Sequence, residues 1–236
     1  MSDAVAVVTI DRPERRNAVD HATLERISSE LDAATAAGAR ALVLHGAGGQ
    51  FCAGADLTTV EDGGFVGLLR RVLDGLHEAP FPTIAAIEGN ALGAGVQLAI
   101  ACDLRIATPD ARFGVPAGKL GLSVDHWTVR RVAATAGDSM GRALLLGGLT
   151  VSGEEAHRLG FVQRLGGFAD ARAWADDVAA LAPLTLQAHK LMFNRDHGPL
   201  DDDDVLAARS RAWASADLQE GLAAFRDRRP PNFQGA

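Results

Sequence analysis

Short apolar runs alternate with stretches of helical periodicity along the first half of the chain. Four of these runs are short enough to be strands, and they cover residues 4–10, 40–45, 83–88 and 104–107. Apolar residues spaced three and four apart predict helices over residues 22–37, 65–76 and 92–101. The alternation predicts an α/β fold, although it fits a doubly wound sheet as well as other parallel arrangements.

From about residue 120 onward the pattern is mostly helical. Helical spacing covers residues 124–136, 140–146, 153–158, 169–182, 184–194, 203–214 and 217–228. No repeat or low-complexity linker separates the two halves, so we place a boundary near Ala182-Pro183. This boundary divides the chain into a core, residues 1–182, and a C-terminal helical region, residues 183–236.

Composition narrows the class of protein. With 236 residues, of which 47% are hydrophobic and 22% charged, the chain suits one large globular domain, with or without an appendage. A net charge of −7 argues against a nucleic-acid surface. The N-terminus lacks a signal sequence and no apolar run approaches the length of a membrane span, so we expect a cytoplasmic protein without a transmembrane segment.

Cysteine and histidine give no sign of a metal site. Cys52 and Cys102 lie far apart and form no CxxC pair, and we interpret both as small buried hydrophobic residues. The seven histidines show no HExxH or clustered pattern. We therefore expect neither a metal nor a redox cofactor.

Two glycine-rich segments are the candidate site of chemistry. Residues 51–57 (FCAGADL) form a tight turn after one predicted strand, and residues 89–99 (GNALGAGVQLA) follow another and open a helix near Leu92. Unpaired N–H groups and the positive end of the dipole collect at such a helix start. Two N–H groups that converge on one point polarise a carbonyl and stabilise an enolate-like oxyanion, and a thioester suits such a site.

Other motif classes fit less well. Gly93 to Leu98 begins like a dinucleotide-binding GxGxxG segment but lacks its last glycine. Neither a GxxxxGK[ST] phosphate loop nor a GxSxG nucleophile elbow is present in the sequence. These absences weaken a nucleotide-binding interpretation and disfavour an ordinary serine hydrolase.

In the two glycine segments, and in residues 111–116 (ARFGVP), the chain resembles the crotonase family, also called the enoyl-CoA hydratase/isomerase family. The resemblance implies the ClpP-like spiral of ββα turns with a C-terminal helical oligomerisation region. It also implies binding of acyl-CoA thioesters, with no cofactor beyond the coenzyme A of the ligand. Matched position by position, the oxyanion donors are the backbone N–H groups of Ala55 and Ala94. Most family members have glycine in place of Ala94, and a helix tolerates this alanine.

The resemblance also predicts a loss of acid–base chemistry. Hydratases of the family carry two glutamates, one to activate water and one to shuttle a proton to the α-carbon. The matching positions here are Gln97 and Ala117, and neither side chain exchanges a proton near neutral pH. We expect hydration by the usual route to be absent or very slow, while Gln97 can still hydrogen-bond a water or a carbonyl.

One carboxylate remains nearby. Asp125 lies where dienoyl-CoA isomerases and chlorobenzoyl-CoA dehalogenases of the family carry a functional aspartate, which makes it a candidate base or nucleophile. The alternative is ordinary helix capping, because Asp125 precedes an apolar-periodic stretch. Trp127 is a candidate wall of the acyl pocket or a core residue. His126 is a candidate pocket group or an exposed helix residue.

Coenzyme A is anionic and needs local positive charge on this acidic chain. The resemblance implies CoA contacts by Arg15 and Arg16 after the first strand, by Ala53 and Asp56 in the first glycine segment, and by Lys190 on a late helix. Each of the three cations is alternatively an ordinary surface charge. The family's C-terminal helices imply a homotrimer, or a hexamer of paired trimers, in which Lys190 reaches a neighbouring subunit.

Three functions remain open. The leading hypothesis is a crotonase-fold protein of fatty-acid metabolism that binds or carries fatty acyl-CoA with little or no hydratase activity. The second is an active hydratase/isomerase-type enzyme, for example a dienoyl-CoA isomerase, that uses Asp125. The third is an oligomeric scaffold with a vestigial pocket.

Overall fold

Strands form two sheets in the part of the chain that the computed structural model describes, residues 4–58, 64–195 and 203–236. In chain order they are β1 (Val5–Ile10), β2 (Ala41–Gly46), β3 (Thr83–Ile87), β4 (Asn90–Leu92), β5 (Leu104–Ala107), β6 (Arg112–Gly114), β7 (Thr150–Ser152) and β8 (Arg164–Leu165). The main sheet has the order β1-β2-β3-β5-β8 and is parallel throughout. In the second sheet, β6 pairs in parallel with β4 and antiparallel with β7.

Helices cover both faces of the main sheet and form the C-terminal region. In chain order they are α1 (His21–Ala36), α2 (Gly64–Glu78), α3 (Ala94–Ala101), α4 (His126–Ala136), α5 (Asp138–Leu145), α6 (Gly153–Arg158), α7 (Phe168–Ala179), α8 (Pro183–Asn194), α9 (Asp203–Trp213) and α10 (Ala216–Asp227). The side chain of Asp20 caps α1 by accepting the N–H of Thr23. The apolar stripe of α2 from Phe65 to Leu76 is buried, as its spacing predicts.

The inner strand β2, which lies between β1 and β3, is buried on both of its faces. Leu42 and Leu44 face the larger core, which α1, α2 and α3 cover. Ala41 and Val43 face a smaller core, which α7 covers. Burial on both faces explains why β2 is an unbroken apolar run, as is usual for parallel strands in α/β proteins.

Successive units of the chain stack as a spiral. Each unit adds a strand to the main sheet and a short segment to the second layer: β3 is followed by β4 and α3, and β5 is followed by β6. Cys52 joins the same layer through a parallel bridge to Ala91. This is the spiral of ββα turns that the resemblance implies.

The second sheet is absent from the sequence prediction. Its strands have three residues each, which is too few to show a period of two. The helix predicted from residue 92 begins instead at Ala94, because Gly93 turns the chain with φ 52° and ψ −111° directly after strand β4.

The C-terminal helices α8 to α10 lie beyond the spiral. α8 begins at Pro183, directly after Ala182. The last residues return to the core, where the guanidinium of Arg40 donates to the carbonyl oxygen of Phe233 at 2.9 Å. No helix within the described ranges is both long and apolar enough to cross a lipid bilayer.

Candidate active site

The loop after β1 supports the first glycine segment. Asn17 is fully buried. Its side-chain nitrogen donates to the carbonyls of Ala47 and Gln50, and its side-chain oxygen accepts the N–H of Arg12 at 2.8 Å. With these groups satisfied, Asn17 ties the turn after β1 to the turn after β2 and so positions the segment that starts at Phe51.

Backbone hydrogen bonds hold the two glycine segments side by side. The N–H of Cys52 donates to the carbonyl of Asn90 at 2.8 Å, and the N–H of Leu92 donates to the carbonyl of Cys52 at 3.0 Å. Gly95 lies against this pairing, because a Cβ at that position would be 2.3 Å from the carbonyl oxygen of Cys52. That separation is far inside van der Waals contact, so the close approach requires glycine.

The two predicted oxyanion donors, Ala55 and Ala94, follow the paired residues of their segments. A parallel β-bridge joins Ala55 to Val19: the carbonyl of Gly54 accepts the N–H of Val19 (2.9 Å), and the N–H of Asp56 donates to the carbonyl of Val19 (2.8 Å). The N–H of Ala55 takes no part in these two hydrogen bonds. Ala94 is the first residue of α3, where N–H groups have no acceptor inside the helix. Within the described part of the chain, neither N–H donates to a carbonyl of another element, so both are available to a ligand oxygen.

Gln97 is held by a hydrogen-bonded chain that ends at Asp125. The Nε2 of Gln97 donates to Oγ1 of Thr128 at 2.8 Å, and the Thr128 hydroxyl donates to Oδ2 of Asp125 at 3.1 Å. Oδ1 of Asp125 accepts the N–H of Thr128 at 2.8 Å. Gln97 and Thr128 are buried, whereas Asp125 is exposed at the start of α4. This geometry supports the capping interpretation of Asp125.

The positions of the two family glutamates hold no ionisable group. Ala117 lies in a short 3-10 turn (Pro116–Lys119) and packs against the main core. The neighbouring thiol of Cys52 does not supply one either, since burial raises its pKa to about 12 and keeps it protonated at neutral pH. Cys102 is buried in the same way, so both cysteines are the buried residues that the sequence predicts.

Trp127 lines a cavity of about 590 Å³ between α2, α4 and the end of α8. Its ring meets the ring of His77 edge to face, with 5.7 Å between centroids, and the guanidinium of Arg70 lies 4.6 Å from its centre. Burial, followed by the charges of Arg131 and Lys190, lowers the pKa of His77 to about 4. The imidazole of His77 is therefore neutral at pH 7.

This cavity is separate from the oxyanion segments. Its lining includes neither Ala55 nor Ala94 nor Gln97. His126 is exposed at the first position of α4 and does not line it. The placement of His126 supports the interpretation as an exposed helix residue.

Three of the predicted CoA contacts lie together: Ala53, Arg16 and its chain neighbour Arg15. The N–H of Ala53 donates to the carbonyl of Arg16 at 3.0 Å. The side chains of Arg15 and Arg16 are exposed and take part in no ion pair with the residues that the structure describes. The structure thus places two free cations next to Ala53, and the N–H of Ala53 itself is already used.

Asp56 has a different environment from the one that the resemblance implies. It is buried, and its carboxylate accepts the hydroxyl (2.7 Å) and N–H (3.2 Å) of Thr58 and the guanidinium of Arg12 (3.3 Å). The hydrogen bonds from Thr58, followed by those from Arg12, lower the pKa of Asp56. These contacts support a structural role for Asp56, and its CoA contact stays a prediction.

Lys190 is held by contacts inside the protein. Its side chain is 7% exposed, and Nζ donates to the carbonyls of Leu76 (3.1 Å) and Phe81 (3.0 Å) and pairs with Asp103 (2.8 Å). All three ammonium hydrogens are used in this way. These contacts support a structural role for Lys190, and its predicted contact with the CoA of a neighbouring subunit stays a prediction.

Sequence reasoning misses three residues of the site: Arg12, Asn17 and Thr128. Thr128 gives a local signal, because it stands three residues after Asp125, the spacing between an N-cap and the N–H that it accepts. Arg12 and Asn17 give none, since their partners Asp56 and Gln50 lie 44 and 33 positions away.

The fold and the site define the class of protein. A family model described as enoyl-CoA hydratase/isomerase matches residues 1–236. The chain belongs to the enoyl-CoA hydratase/isomerase family, whose proteins act on CoA thioesters. Among the described residues, no group of three or more His, Cys, Asp or Glu side chains could hold a metal ion.

Individual relatives match over nearly the full length. The protein named "Probable enoyl-CoA hydratase echA6" of Mycobacterium tuberculosis is 40% identical over 241 residues, which cover 100% of this chain and 98% of the relative. "Enoyl-CoA hydratase domain-containing protein 2, mitochondrial" of Homo sapiens is 32% identical, with 98% of this chain and 86% of the relative covered.

Solved structures confirm the crotonase fold. An enoyl-CoA hydratase of Mycobacterium tuberculosis H37Rv superposes with a TM-score of 0.86 at 32% identity, and the match covers 100% of this chain and 97% of that one. An enoyl-CoA hydratase/carnithine racemase of Magnetospirillum magneticum gives a TM-score of 0.91 at 30% identity, with 100% and 94% covered.

Proposed function

We propose that this protein binds fatty acyl-CoA thioesters and hydrates enoyl-CoA little or not at all. The observation that carries the proposal is that two backbone N–H groups on paired segments are free of backbone acceptors in the described part of the chain, while the positions of the two family glutamates hold no acid or base. Ala55 and Ala94 present available N–H groups on adjacent segments, while Gln97 is bonded to Thr128 and Ala117 has only a methyl group. A thioester carbonyl would be polarised there, but no side chain at these positions would move a proton.

The surroundings of Ala53 supply the groups that coenzyme A needs. The exposed guanidinium groups of Arg15 and Arg16 suit the CoA phosphates. Because the N–H of Ala53 donates to Arg16, its carbonyl is the group left for the amino group of the adenine.

Calorimetry and a hydration assay test the proposal together. Long-chain acyl-CoA should bind with a Kd in the micromolar range or below, while hydration of crotonyl-CoA, followed by loss of enoyl absorbance, should stay at the rate measured without protein. Rapid hydration by the unmodified protein would overturn the proposal.

A gain-of-function variant sharpens this test. Gln97→Glu combined with Ala117→Glu supplies both carboxylates and should raise hydration above the unmodified protein. The matched control is Ala117→Gln, which adds a side chain of the same size without an acid and should remain inactive.

The isomerase and scaffold hypotheses predict other outcomes. An isomerase would shift the absorbance of a dienoyl-CoA, and the shift would disappear in Asp125→Asn; this hypothesis has less support because both oxygens of Asp125 accept hydrogen bonds from Thr128. A scaffold with a vestigial pocket would bind no acyl-CoA at all.

We also propose that residues 183–236 build a homotrimer or a hexamer of paired trimers. Large apolar side chains of this region are exposed in the single chain, Phe193 by 79% and Trp213 by 67%. Exposed aromatic side chains on the helices α8 and α9 are suited to burial against another copy of the chain.

A further inference from the structure

The chain of hydrogen bonds from Asp125 to Gln97 has a fixed direction. The carboxylate of Asp125 can only accept, so the Thr128 hydroxyl must donate to it across the 3.1 Å contact. Its single hydrogen is then used, and Thr128 can only accept from Gln97. Gln97 must therefore turn its Nε2 toward Thr128, at 2.8 Å.

The other end of the Gln97 amide is left without a partner. Gln97 is 7% exposed, and its Oε1 accepts no hydrogen bond from any residue within the described ranges. Oε1 is not among the fully buried polar atoms that lack a partner in the described part of the chain, so solvent reaches it and a ligand could reach it as well. The side chain thus presents an acceptor whose direction is fixed by Thr128 and whose oxygen is open to a ligand.

This acceptor lies beside the oxyanion site. Gln97 follows Ala94 by three positions on α3, and residues at that spacing share a helix face, with about 5–6 Å between their Cβ atoms. If the thioester oxygen of a ligand is bound at the N–H of Ala94, the acyl carbons next to the thioester carbonyl would lie near the side-chain amide of Gln97.

We propose that Gln97 makes this site selective for acyl thioesters that carry a hydrogen-bond donor, such as a hydroxyl, on the carbons next to the thioester. A ligand hydroxyl donates a hydrogen bond to Oε1, whereas a saturated acyl chain leaves Oε1 without a partner. A ligand oxo group places a second acceptor oxygen next to Oε1, which is repulsive. The inference depends on the acyl-CoA binding proposed above. Asp125 and Thr128 act through Gln97 as positioning residues.

The first test compares ligands of one chain length by calorimetry. The 3-hydroxyacyl-CoA should bind about tenfold more tightly than the saturated acyl-CoA, which is the effect of one net hydrogen bond to an acceptor that the bound acyl chain shields from water. The 3-oxoacyl-CoA should bind more weakly than either. Equal affinities would overturn the selectivity and leave the proposed function standing. Absence of binding by all three would overturn both.

The second test uses an isosteric substitution to reverse the direction of the hydrogen bonds from Asp125 through Thr128 to Gln97. In Asp125→Asn, the side-chain oxygen still accepts the N–H of Thr128, and the new NH₂ group donates to the Thr128 hydroxyl oxygen. The Thr128 hydroxyl hydrogen is then free to donate to Oε1 of Gln97. The Gln97 amide turns over and offers its NH₂ to the ligand. The preference should change from the 3-hydroxy to the 3-oxo ligand; an unchanged preference would contradict the mechanism.

Three further variants complete this test. Gln97→Met removes the acceptor, and Thr128→Val removes the fixed direction, so the affinity ratio between the 3-hydroxy and saturated ligands should fall to near one in both. Asp170→Asn is the matched control, because Asp170 also caps a helix, accepting the N–H of Gly167 at 2.9 Å, but on α7 across the main sheet. It should retain the tenfold ratio, and thermal melting verifies that each variant is folded.

Discussion

At the scale of single residues, Gly95 decides whether the two glycine segments can meet. Its α-hydrogen faces the carbonyl oxygen of Cys52, which itself accepts the N–H of Leu92 at 3.0 Å. A side chain at position 95 would collide with backbone, which cannot move aside as a flexible side chain can.

Gly95→Ala should therefore destabilise the protein by about 2 kcal/mol or more and weaken acyl-CoA binding by about tenfold or more, since Ala94 would shift with the helix start. The matched control is Gly67→Ala in α2, where a Cβ meets nothing within 4 Å and the change should stabilise the helix by about 0.5–1 kcal/mol. Urea unfolding and calorimetry measure both; unchanged binding in Gly95→Ala would contradict the site geometry.

Asp56 gives a second prediction at this scale. Its pKa is lowered in the folded protein by Thr58 and Arg12, so its contribution to stability is present above the unfolded pKa, about 3.9, and is lost as the pH falls through the lower folded value. Asp56→Asn removes this contribution, so the variant should lose less stability than the unmodified protein between neutral pH and about pH 3. Urea midpoints at the two pH values give the comparison, and equal losses would contradict it.

The sequence predicts these residues unevenly. The glycine segments and the missing glutamates at Gln97 and Ala117 are local features, and the structure places both segments together. The direction of the Gln97 amide is set by Thr128, 31 positions away, and no local pattern encodes that pairing. The same limit explains why the sequence predicts a CoA contact or a surface charge for Lys190, although its ammonium is buried under the end of α2.

At the scale of elements, Lys190 attaches α8 to the spiral. Its ammonium donates to the carbonyls of Leu76 and Phe81 and pairs with the carboxylate of Asp103. Removal of one partner from a largely buried ion pair leaves the other charge uncompensated.

Lys190→Met should destabilise the protein by about 2–4 kcal/mol. The acyl-CoA affinity of the folded variant should stay within about twofold of the unmodified protein, a difference of a few tenths of a kcal/mol in binding free energy. Lys119→Met is the matched control, because Lys119 is exposed and its loss should change the free energy of unfolding by less than about 0.5 kcal/mol. A large loss of affinity in folded Lys190→Met would instead support the CoA contact that the family resemblance implies.

Elements are predicted well where the apolar period is long and poorly where it is short. The long strands and the helices α1, α2 and α4 to α10 follow from periodicity to within a few residues. The three-residue strands β4, β6 and β7 do not, because their place in a second sheet depends on partners from distant parts of the chain.

At the scale of the whole molecule, the spiral completes its own core, whereas the C-terminal helices leave aromatic side chains exposed. Trp213, at the end of α9, is 67% exposed. Such a surface is consistent with the proposed assembly of several copies.

Sedimentation should therefore give a mass of about 74 kDa, three chains of 24.6 kDa, or twice that value. Trp213→Asp should shift the distribution toward single chains, because a buried unpaired charge opposes association. Leu159→Asp is the matched control, since Leu159 is 44% exposed on the spiral outside the C-terminal region. A single-chain mass for the unmodified protein would overturn the assembly.

Asp125 is exposed at the start of α4, yet through Thr128 it determines which atom of the buried Gln97 amide faces a ligand. Engineers who randomise only the walls of a cleft would pass over this position, although a one-atom exchange there is expected to invert the preference. Libraries aimed at new ligands for this scaffold should therefore include the first turn of α4.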